Sequence, residues 1–215
     1  MHCIVTAGPT CEPLDRVRRL TNFSTGRLGV ELANFLADAG HRVTLLLGEQ
    51  ATWAGEARAG RVERFSSTAD LGERLQRLGY DDVGAVFHAA AVSDFRFGKV
   101  WLRAADGQLT EQQSGKFSTR QGTLLAELVP TPKLIAELRG WFPRTRLVGW
   151  KYEVEGDRAA AIRAAEQQLA ACRTDACVAN GPAYGAGFGL VGSAVRPTHL
   201  PSKAELFAAL LRLVS

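Results

Sequence analysis

The sequence predicts an α/β fold with a mostly parallel sheet. Short apolar runs typical of buried strands alternate with stretches that carry apolar residues at helical spacing. Strands that alternate with helices form parallel sheets joined by right-handed crossovers. A chain of 215 residues is long enough for one domain with a well-buried core. Its content of 46% hydrophobic and 22% charged residues is ordinary for a globular protein. We therefore expect a Rossmann-like three-layer sandwich, with residues 1–215 in a single domain.

The first half of the chain carries the clearest alternation. Residues 66–70 have the capping chemistry of a helix start, and an apolar stripe follows at Leu71, Leu75 and Leu78. The next apolar run, at 82–91, ends in small residues and is typical of a buried strand. The predicted elements are strands at about 2–7, 42–47, 62–65 and 82–91, and helices at 26–39 and from 66 through Leu78.

The middle of the chain, residues 96–128, departs from this alternation. Residues 100–103 and 124–128 have strand character, and a polar stretch at 111–121 that carries Lys116 lies between them. This pattern predicts an inserted β-hairpin, which we call the flap. The elements predicted after it are a helix from Pro130 through Arg139 with Pro132 near its first turn, a strand at 147–152, a helix at 158–172, a strand at 176–180, a glycine-rich loop at 181–189 and a helix at 204–213.

Composition narrows the classes of partner and compartment. The net charge of +4 comes mainly from scattered arginines, so small anionic ligands are expected and a nucleic-acid partner is not. The four cysteines lack the spacing of a zinc site or a redox pair, and Cys3 and Cys177 are expected to be reduced core residues. No signal peptide and no apolar run of membrane-spanning length is visible, so we expect a cytoplasmic protein without a membrane partner.

The segment from Asn22 to Gly29 joins the first strand to the first helix. A helix N-terminus offers unpaired N–H groups and the positive end of the helix dipole, and therefore attracts phosphate. Ser24 and Thr25 can cap the helix and donate to an anion, and Gly26 and Gly29 allow a close approach. The alternative is a capped helix that packs on the sheet through its glycines.

This part of the sequence does not match the common sequence fingerprints of nucleotide-binding sites. A dinucleotide site needs G-x-G-x-x-G directly after the first strand and an acidic residue at the end of the second. Here Gly8-Pro9-Thr10-Cys11 interrupts the glycine pattern, and the second strand ends in Leu45–Gly48. A P-loop sequence is also absent.

Ligands of open α/β sheets bind beyond the carboxyl ends of the strands. The residues predicted at those ends are Gly8, Thr10, Ala89, Ala90, Ala91, Asp94, Arg96, Trp150, Lys151 and Asn180. Small side chains admit a nucleotide, Asp94 can accept from a ribose or hold a metal, and Arg96 can balance an anion. Structural alternatives stay open: Asp94 as a turn cap, Lys116 as a solvated lysine and Asn180 as a turn residue. His41 and His88 are expected to be structural.

Several motifs, in order along nearly the whole chain, resemble those of a known family. They are Thr6–Arg18 (TAGPTCEPLDRVR), Asn22–Gly29 (NFSTGRLG), Ala89–Arg96 (AAAVSDFR), Lys116 followed by Leu128–Leu134 (LVPTPKL), and Val178–Asn180 (VAN). This set resembles phosphopantothenoylcysteine synthetase, the second half of the bifunctional coenzyme A biosynthesis flavoprotein of bacteria.

The resemblance implies a ligase that joins 4′-phosphopantothenate to L-cysteine. A nucleoside triphosphate, CTP or ATP, would activate the carboxylate as an acyl-nucleotidylate with release of pyrophosphate, assisted by Mg²⁺. The cysteine amine would then displace the nucleotide. The resemblance also implies a homodimer in which the flap approaches the partner's site. No flavin is expected, because no decarboxylase half precedes Met1.

The resemblance further assigns roles to residues, though it assigns no metal ligand. Asn22 and Lys116 are implied to be catalytic, with Asn22 holding the acyl carbonyl as it becomes tetrahedral. Arg18, Asn22 and Arg96 are implied to bind the substrate. The residues implied to bind the nucleotide are Gly8, Thr10, Ser24, Thr25, Gly26, Ala89, Ala90, Ala91, Asp94, Trp150, Lys151, Asn180 and Phe188.

The chain departs from the family pattern at three places. Residues 149–154 read GWKYEV where bacterial members carry G-F-A-A-E-T, and are closer to the F-K-L-E-T of eukaryotic members. The K-x-K-K of the flap is reduced to KFST at 116–119, and G-F-x-S-D-x-N appears only as GFG at 187–189. These departures leave the choice between CTP and ATP open. Two alternatives remain: a nicotinamide-dependent reductase, for which a Tyr-x-x-x-Lys pair is lacking, and a non-catalytic nucleotide-binding module.

Overall fold

The computed structural model describes residues 1–79, 82–112, 116–117, 122–192 and 195–214. Its elements in chain order are β1 (His2–Ala7), β2 (Cys11–Pro13), β3 (Arg19–Thr21), α1 (Arg27–Asp38), β4 (Arg42–Gly48), β5 (Arg61–Phe65), α2 (Thr68–Leu78), β6 (Ala85–His88), β7 (Phe95–Arg103), β8 (Leu109–Gln112), β9 (Thr123–Pro130), α3 (Leu134–Trp141), β10 (Arg146–Tyr152), α4 (Arg158–Cys172), β11 (Ala176–Asn180), β12 (Phe188–Gly192), β13 (Val195–Leu200) and α5 (Lys203–Arg212).

The main sheet has the strand order β13-β12-β11-β10-β6-β1-β4-β5. Neighbouring strands pair in parallel over the part of the sheet formed by β11, β10, β6, β1, β4 and β5. At one edge, β12 and β13 extend the sheet as antiparallel strands. Every residue of β1 is buried, as expected of a central strand covered on both faces. The prediction of a mostly parallel sheet is therefore confirmed.

Helices cover both faces of this sheet. On one face, α1 and α5 bury Val30, Leu36 and Leu210 against Val5 and Leu45. On the other face, α2 and α3 pack Leu71, Leu75 and Leu138 over the sheet, and α4 packs against β10 and β11. These three layers agree with the predicted Rossmann-like sandwich.

The strand order creates a crevice between β1 and β6. From β1 the chain moves outward to β4 and β5, and it then crosses back through α2 to reach β6, β10 and β11 on the other side of β1. Ligands of open α/β sheets bind where the strand order reverses, at the carboxyl ends of the strands. The topology thus places the candidate site beyond Ala7 and His88.

Two small antiparallel sheets stand outside the main one. β2 and β3 form a hairpin over residues 11–21, which we call the arm. The flap is a three-stranded sheet of order β8-β7-β9 over residues 95–130, so the predicted insertion is confirmed and carries one strand more than expected. Residues 113–115 and 118–121 of the predicted polar stretch lie outside the described residues.

Some predicted boundaries were wrong. The helix expected from Pro130 begins at Leu134 with Lys133 as N-cap, so Pro132 lies before the helix and not in its first turn. The buried strand expected at 82–91 is shorter in the structure, because β6 spans only 85–88 before the chain turns into the site. The loop expected at 181–189 ends when β12 begins at Phe188, and β13 carries Pro197 on an edge strand, where proline is tolerated.

The four cysteines form no disulfide. Burial raises the pKa of Cys3 to about 11 and that of Cys177 to about 12, so both thiols stay protonated at neutral pH. This agrees with their prediction as reduced core residues. Over the part of the chain that the structure describes, none of the helices combines the length and apolarity needed to cross a membrane.

Candidate active site

The loops that follow β1 and β6 run side by side at the switch point. Thr10 N donates to Ala91 O at 3.1 Å, and Ala91 N donates to Gly8 O at 3.0 Å. Pro9 and Ala91 form a parallel bridge between these bonds. The predicted residues Gly8, Ala89, Ala90 and Ala91 are therefore brought together, with backbone and small side chains at the mouth of the crevice.

Thr10 supports this loop from inside the protein. Its side chain is fully buried, and its hydroxyl accepts from Ser93 N at 2.8 Å and from Thr68 Oγ1 at 3.2 Å. These bonds tie the loop after β6 to the start of α2. Thr10 faces the interior, and in this structure its side chain positions the loop that was predicted to contact a nucleotide.

A second buried pair shapes the same loop. Burial lowers the pKa of His88 to about 4, so the imidazole is neutral at pH 7, and its Nδ1 forms a hydrogen bond with the Thr6 hydroxyl at 3.0 Å. The Thr6 oxygen in turn accepts from Ala90 N at 3.1 Å. The expectation that His88 is structural agrees with this arrangement, because its hydrogen bond fixes Thr6 and through it Ala90.

Asn22 lies beside the switch point. Its Nδ2 donates to Ala91 O at 3.0 Å, and the neighbouring Thr21 Oγ1 donates to Thr10 O at 2.9 Å. The side chain is exposed, so the amide is anchored at one atom and open to a ligand. The structure thus joins the predicted residues Asn22 and Ala91, which lie 69 residues apart in the chain.

The N-terminus of α1 points to the same region without a side-chain cap. The N-cap is Gly26, whose φ of 80° favours glycine, and the first turn holds no acidic residue. Ser24 was expected to cap the helix and does not, because the left-handed Gly26 takes that position. Thr25 Oγ1 accepts from Arg27 N at 3.3 Å. A Cβ on Gly29 would lie 2.6 Å from Ala7 Cβ, so this glycine serves helix–strand packing.

Two unsatisfied polar atoms mark the ends of β10 and β11. Trp150 Nε1 and Asn180 Oδ1 are buried and have no hydrogen-bond partner among the described residues. Trp150 pairs with Val178, two residues before Asn180, so the two side chains lie on the same face of adjacent strands. A buried donor or acceptor left unpaired costs about 1–3 kcal/mol. A donor and an acceptor at this end of the sheet are typical of a polar ligand site.

The other predicted residues near these strand ends differ in their surroundings. Lys151 Nζ forms an ion pair with Glu153 Oε1 at 3.0 Å. Phe188 begins β12, where Gly189 pairs with Ala179, so Phe188 lies next to Asn180. Asp94 and Arg96 are exposed where the loop after β6 enters the flap, and Asp94 O accepts from Thr131 N at 3.0 Å.

The arm brings Arg18 to the flap. Arg18 Nη2 donates to Phe117 O at 2.9 Å and to Asp15 Oδ2 at 2.6 Å. Hydrogen bonds from Arg18 above all, and from the backbone of Val17, Arg18 and Phe117, hold the pKa of Asp15 well below its usual range. Lys116, the residue before Phe117, is exposed. The predicted residues Arg18 and Lys116 are thus linked through Phe117.

Two residues of this region were not singled out from the sequence. Asp15 accepts from Val17 N at 2.8 Å and Arg18 N at 2.7 Å, the hydrogen bonds of an Asx turn, and an aspartate after Pro13-Leu14 is a signal for one. Glu12 is buried and its Oε1 accepts from Thr68 N at 2.9 Å, so it holds the start of α2. Nothing local in the sequence indicates that long-range contact.

Comparison with known proteins places these residues in a family context. A family model described as the DNA/pantothenate metabolism flavoprotein C-terminal domain matches residues 1–200. A relative named coenzyme A biosynthesis bifunctional protein CoaBC, from Thermococcus kodakarensis, is 33% identical over 179 residues, covering 82% of this chain and 40% of the relative. The chain spans less than half the length of the first curated relatives it matches.

Solved structures share the fold. The DNA/pantothenate metabolism flavoprotein from Streptococcus pneumoniae superposes with a TM-score of 0.85 at 24% identity, covering 100% of this chain and 98% of that one. A Cab2 mutant in complex with phosphopantothenate-cysteine superposes with a TM-score of 0.71 at 17% identity, covering 99% and 84%. The family-model match over residues 1–200 and the 33% identity to the Thermococcus relative establish that the chain belongs to the DNA/pantothenate metabolism flavoprotein C-terminal domain family.

Proposed function

We propose that the chain joins phosphopantothenate to cysteine through an acyl-nucleotidylate, with CTP or ATP as the co-substrate. The observation that carries this proposal is the meeting of Asn22, the backbone of Ala89–Ala91 and the uncapped N-terminus of α1 at one switch point. The proposal is supported by relatives named for coenzyme A biosynthesis and by a similar structure solved with phosphopantothenate-cysteine. Because the chain spans only part of those relatives, the activity is assigned here from its own residues.

The nucleotide is proposed to lie across the carboxyl ends of β6, β10 and β11. Ala89–Ala91 leave room for a base or ribose at the backbone. Trp150 Nε1 and Asn180 Oδ1 are a donor and an acceptor without protein partners, so hydrogen bonds to a base would relieve the cost of their burial. The phosphates are proposed to lie toward Thr25 and Gly26, where the helix amides and dipole favour anions.

The first step brings two anions together. A carboxylate oxygen of phosphopantothenate attacks the α-phosphorus of the nucleotide, and the bond to pyrophosphate breaks. Lys116 is proposed to offset the charge that builds up on the phosphate, and Arg18 and Arg96 to hold the substrate's own anionic groups. Arg18 has a 38% exposed side chain, so part of its guanidinium can still meet a substrate.

Mg²⁺ is proposed to accompany the nucleotide. Such ions take one or two carboxylates together with phosphate oxygens and water. The described residues hold no group of three or more His, Cys, Asp or Glu side chains suited to a metal ion, so a dedicated protein cage is not proposed. Asp94, exposed after the loop at the switch point, is the carboxylate that would hold the ion. When bound, Mg²⁺ supplies charge neutralisation at the phosphates.

The second step forms the amide. The cysteine amine attacks the acyl carbon, the bond to the nucleotide oxygen breaks, and the amine loses a proton as the nucleoside monophosphate leaves. An amide nitrogen carries two hydrogens, and the bond to Ala91 O uses one of those on Asn22. The other is proposed to donate to the acyl oxygen as negative charge develops there. The anchored hydrogen bond fixes the direction of this donor.

Pyrophosphate release tests this function. With Mg²⁺, phosphopantothenate, cysteine and either CTP or ATP, we expect steady release that requires the phosphopantothenate and the nucleotide. Thermal-shift titrations with CTP, ATP, NADH and NADPH serve as the parallel comparison, and stabilisation by a triphosphate is expected. Stabilisation by a nicotinamide nucleotide alone would favour the reductase, and triphosphate binding without turnover would favour a non-catalytic module.

We propose that the chain works as a twofold homodimer through the flap, in the cytoplasm. The support is an exposed apolar set on one face of the flap sheet, namely Phe95 and Leu128, which a partner surface would bury. Exposed strand edges also tend to pair with another chain. The four unpaired cysteines fit a reducing compartment.

Light scattering at micromolar concentration is expected to give twice the mass of the chain. Leu128→Glu should shift the protein toward monomer, because it places a charge in the apolar set. Val62→Glu is the matched control, since Val62 is a 40% exposed apolar residue on the edge strand β5. A wild-type monomer with full activity would contradict the dimer and would mean that Lys116 serves the site of its own subunit.

A further inference from the structure

The arm is fixed to the body of the protein at its base. Glu12 Oε1 accepts from Thr68 N at 2.9 Å, and Cys11 N donates to Ser66 O at 2.8 Å. At the other strand of the hairpin, Thr21 Oγ1 donates to Thr10 O at 2.9 Å. These bonds join both strands of the arm to the loop before α2 and to the loop after β1. The arm is therefore a defined support, and Asn22 follows directly from its second strand.

The tip of the arm holds the flap through the backbone N–H and C=O groups of Phe117. Phe117 N donates to Asp15 Oδ2 at 3.2 Å, and Phe117 O accepts from Arg18 Nη2 at 2.9 Å. The Arg18 guanidinium carbon lies 5.9 Å from the centre of the Phe117 ring. Phe117 itself is 7% exposed. Both backbone polar atoms and the ring of this residue are thus engaged by two side chains of the arm, which we call the clamp.

Asp15 organises the clamp. Its side chain has no exposed surface, and its Oδ2 accepts from both Arg18 Nε, at 3.1 Å, and Arg18 Nη2, at 2.6 Å. The backbone N–H groups of Val17 and Arg18 donate to its other oxygen. Charge-assisted hydrogen bonds of this kind are shorter and stronger than neutral ones. Asp15 therefore fixes the guanidinium that holds Phe117 O and also binds Phe117 N itself.

We propose that Asp15 is a positioning residue for Lys116: with Arg18 it holds the Phe117 backbone and so fixes the flap lysine relative to Asn22, which directly follows the arm. The Cα atoms of consecutive residues are about 3.8 Å apart, so a clamp on Phe117 restricts the backbone of Lys116 directly. The role of Lys116 in the reaction rests on the proposed function. The holding of the flap by Asp15 does not, and it can be measured without any substrate.

Limited trypsin cleavage measures the clamp. Trypsin cuts after lysine, so it can cut the Lys116–Phe117 peptide bond. The N–H group of this peptide bond donates to Asp15. Cleavage of a native protein reports the population of the opened segment when opening is fast. For Asp15→Asn we expect the fragment that ends at Lys116 to appear about 10- to 100-fold faster than in the wild type, because charged hydrogen bonds are lost. Mass spectrometry of the fragments identifies the cut.

Asp106→Asn is the matched control for cleavage. Asp106 lies in the turn between β7 and β8 of the same flap, and its Oδ1 accepts from Gln108 N at 3.0 Å, a hydrogen bond within that turn. We expect its cleavage rate after Lys116 to match that of the wild type. If Asp15→Asn does not fold, as judged by its thermal transition, Arg18→Lys replaces it, because lysine keeps the charge but lacks the planar guanidinium that reaches both Asp15 and Phe117 O. Arg18→Lys should also accelerate the cut.

Kinetics separate positioning from stability. For folded Asp15→Asn we expect kcat to fall about 10- to 100-fold, because a displacement of about 1 Å in a catalytic group has that order of effect, while KM for the nucleotide changes little. Cleavage after Lys116 at the wild-type rate in the clamp variant would overturn the proposal. Fast cleavage with unchanged kcat would overturn it as well. Failure of the proposed function would appear differently, as no turnover by the wild type, and the cleavage result would still decide whether Asp15 holds the flap.

Discussion

Asn22→Asp is expected to stop amide formation while the nucleotide still binds. The substitution removes the Nδ2 donor and places a negative charge where the acyl oxygen becomes negative. Loss of one such donor commonly lowers the rate about 10²- to 10³-fold, and the added charge acts in the same direction. It also removes the hydrogen bond to Ala91 O that orients the side chain. Calorimetry with the nucleotide, combined with product analysis, measures the two effects separately.

Gln76→Glu provides the control for the charge. Gln76 is exposed on α2, away from the carboxyl ends of the strands, so this variant adds the same charge without changing the site. It should retain the wild-type rate. An unchanged rate in Asn22→Asp would remove Asn22 from the mechanism. A complete loss of nucleotide binding would make it a binding residue instead of a donor in the second step.

Lys116→Gln is expected to lower kcat about 10²-fold or more, and at least as much as it weakens nucleotide binding. The reason is that an ammonium group opposite the reacting phosphate interacts most strongly when charge builds up in the transition state. Steady-state kinetics with varied nucleotide separate kcat from KM. A raised KM with an unchanged kcat would contradict this and leave Lys116 as a residue that binds the ground state.

Lys99→Gln is the matched control on the flap. Lys99 lies on β7 and forms an ion pair with Glu111 on β8 at 3.1 Å, so the substitution removes a flap lysine that pairs within the flap. Exposed ion pairs of this kind contribute at most about 1 kcal/mol to stability. We expect its kcat and KM to stay close to the wild-type values.

Elements with strong local patterns were predictable from the sequence. β1, α4 and β11 have the predicted bounds, because an apolar run or an alanine-rich stretch between clear start and stop signals defines each of them. The short strands β2 and β3 were not predicted, since three residues carry no periodicity. The antiparallel edge strand β13 was also missed, because Pro197 and its polar neighbours obscure the strand pattern.

Only part of the candidate site could be predicted from the sequence. Residues at the carboxyl ends of strands could be placed together, since parallel strands bring those ends to one edge of the sheet. Contacts between distant segments could not be deduced from composition or spacing. Asp15 and Phe117 meet across 102 residues, and Glu12 meets Thr68 across 56. Such contacts depend on how the arm and the flap pack, which no local pattern encodes.

Mass spectrometry of the reaction without cysteine can detect the proposed acyl-nucleotidylate itself. Incubation of the chain with Mg²⁺, phosphopantothenate and the nucleotide that supports turnover should yield the acyl-nucleotidylate and one pyrophosphate. Addition of cysteine should then convert this species to the amide and the nucleoside monophosphate. A nucleoside diphosphate as product would indicate an acyl phosphate and would contradict the proposed mechanism. The absence of any acyl-nucleotidylate and amide with folded protein would contradict it as well.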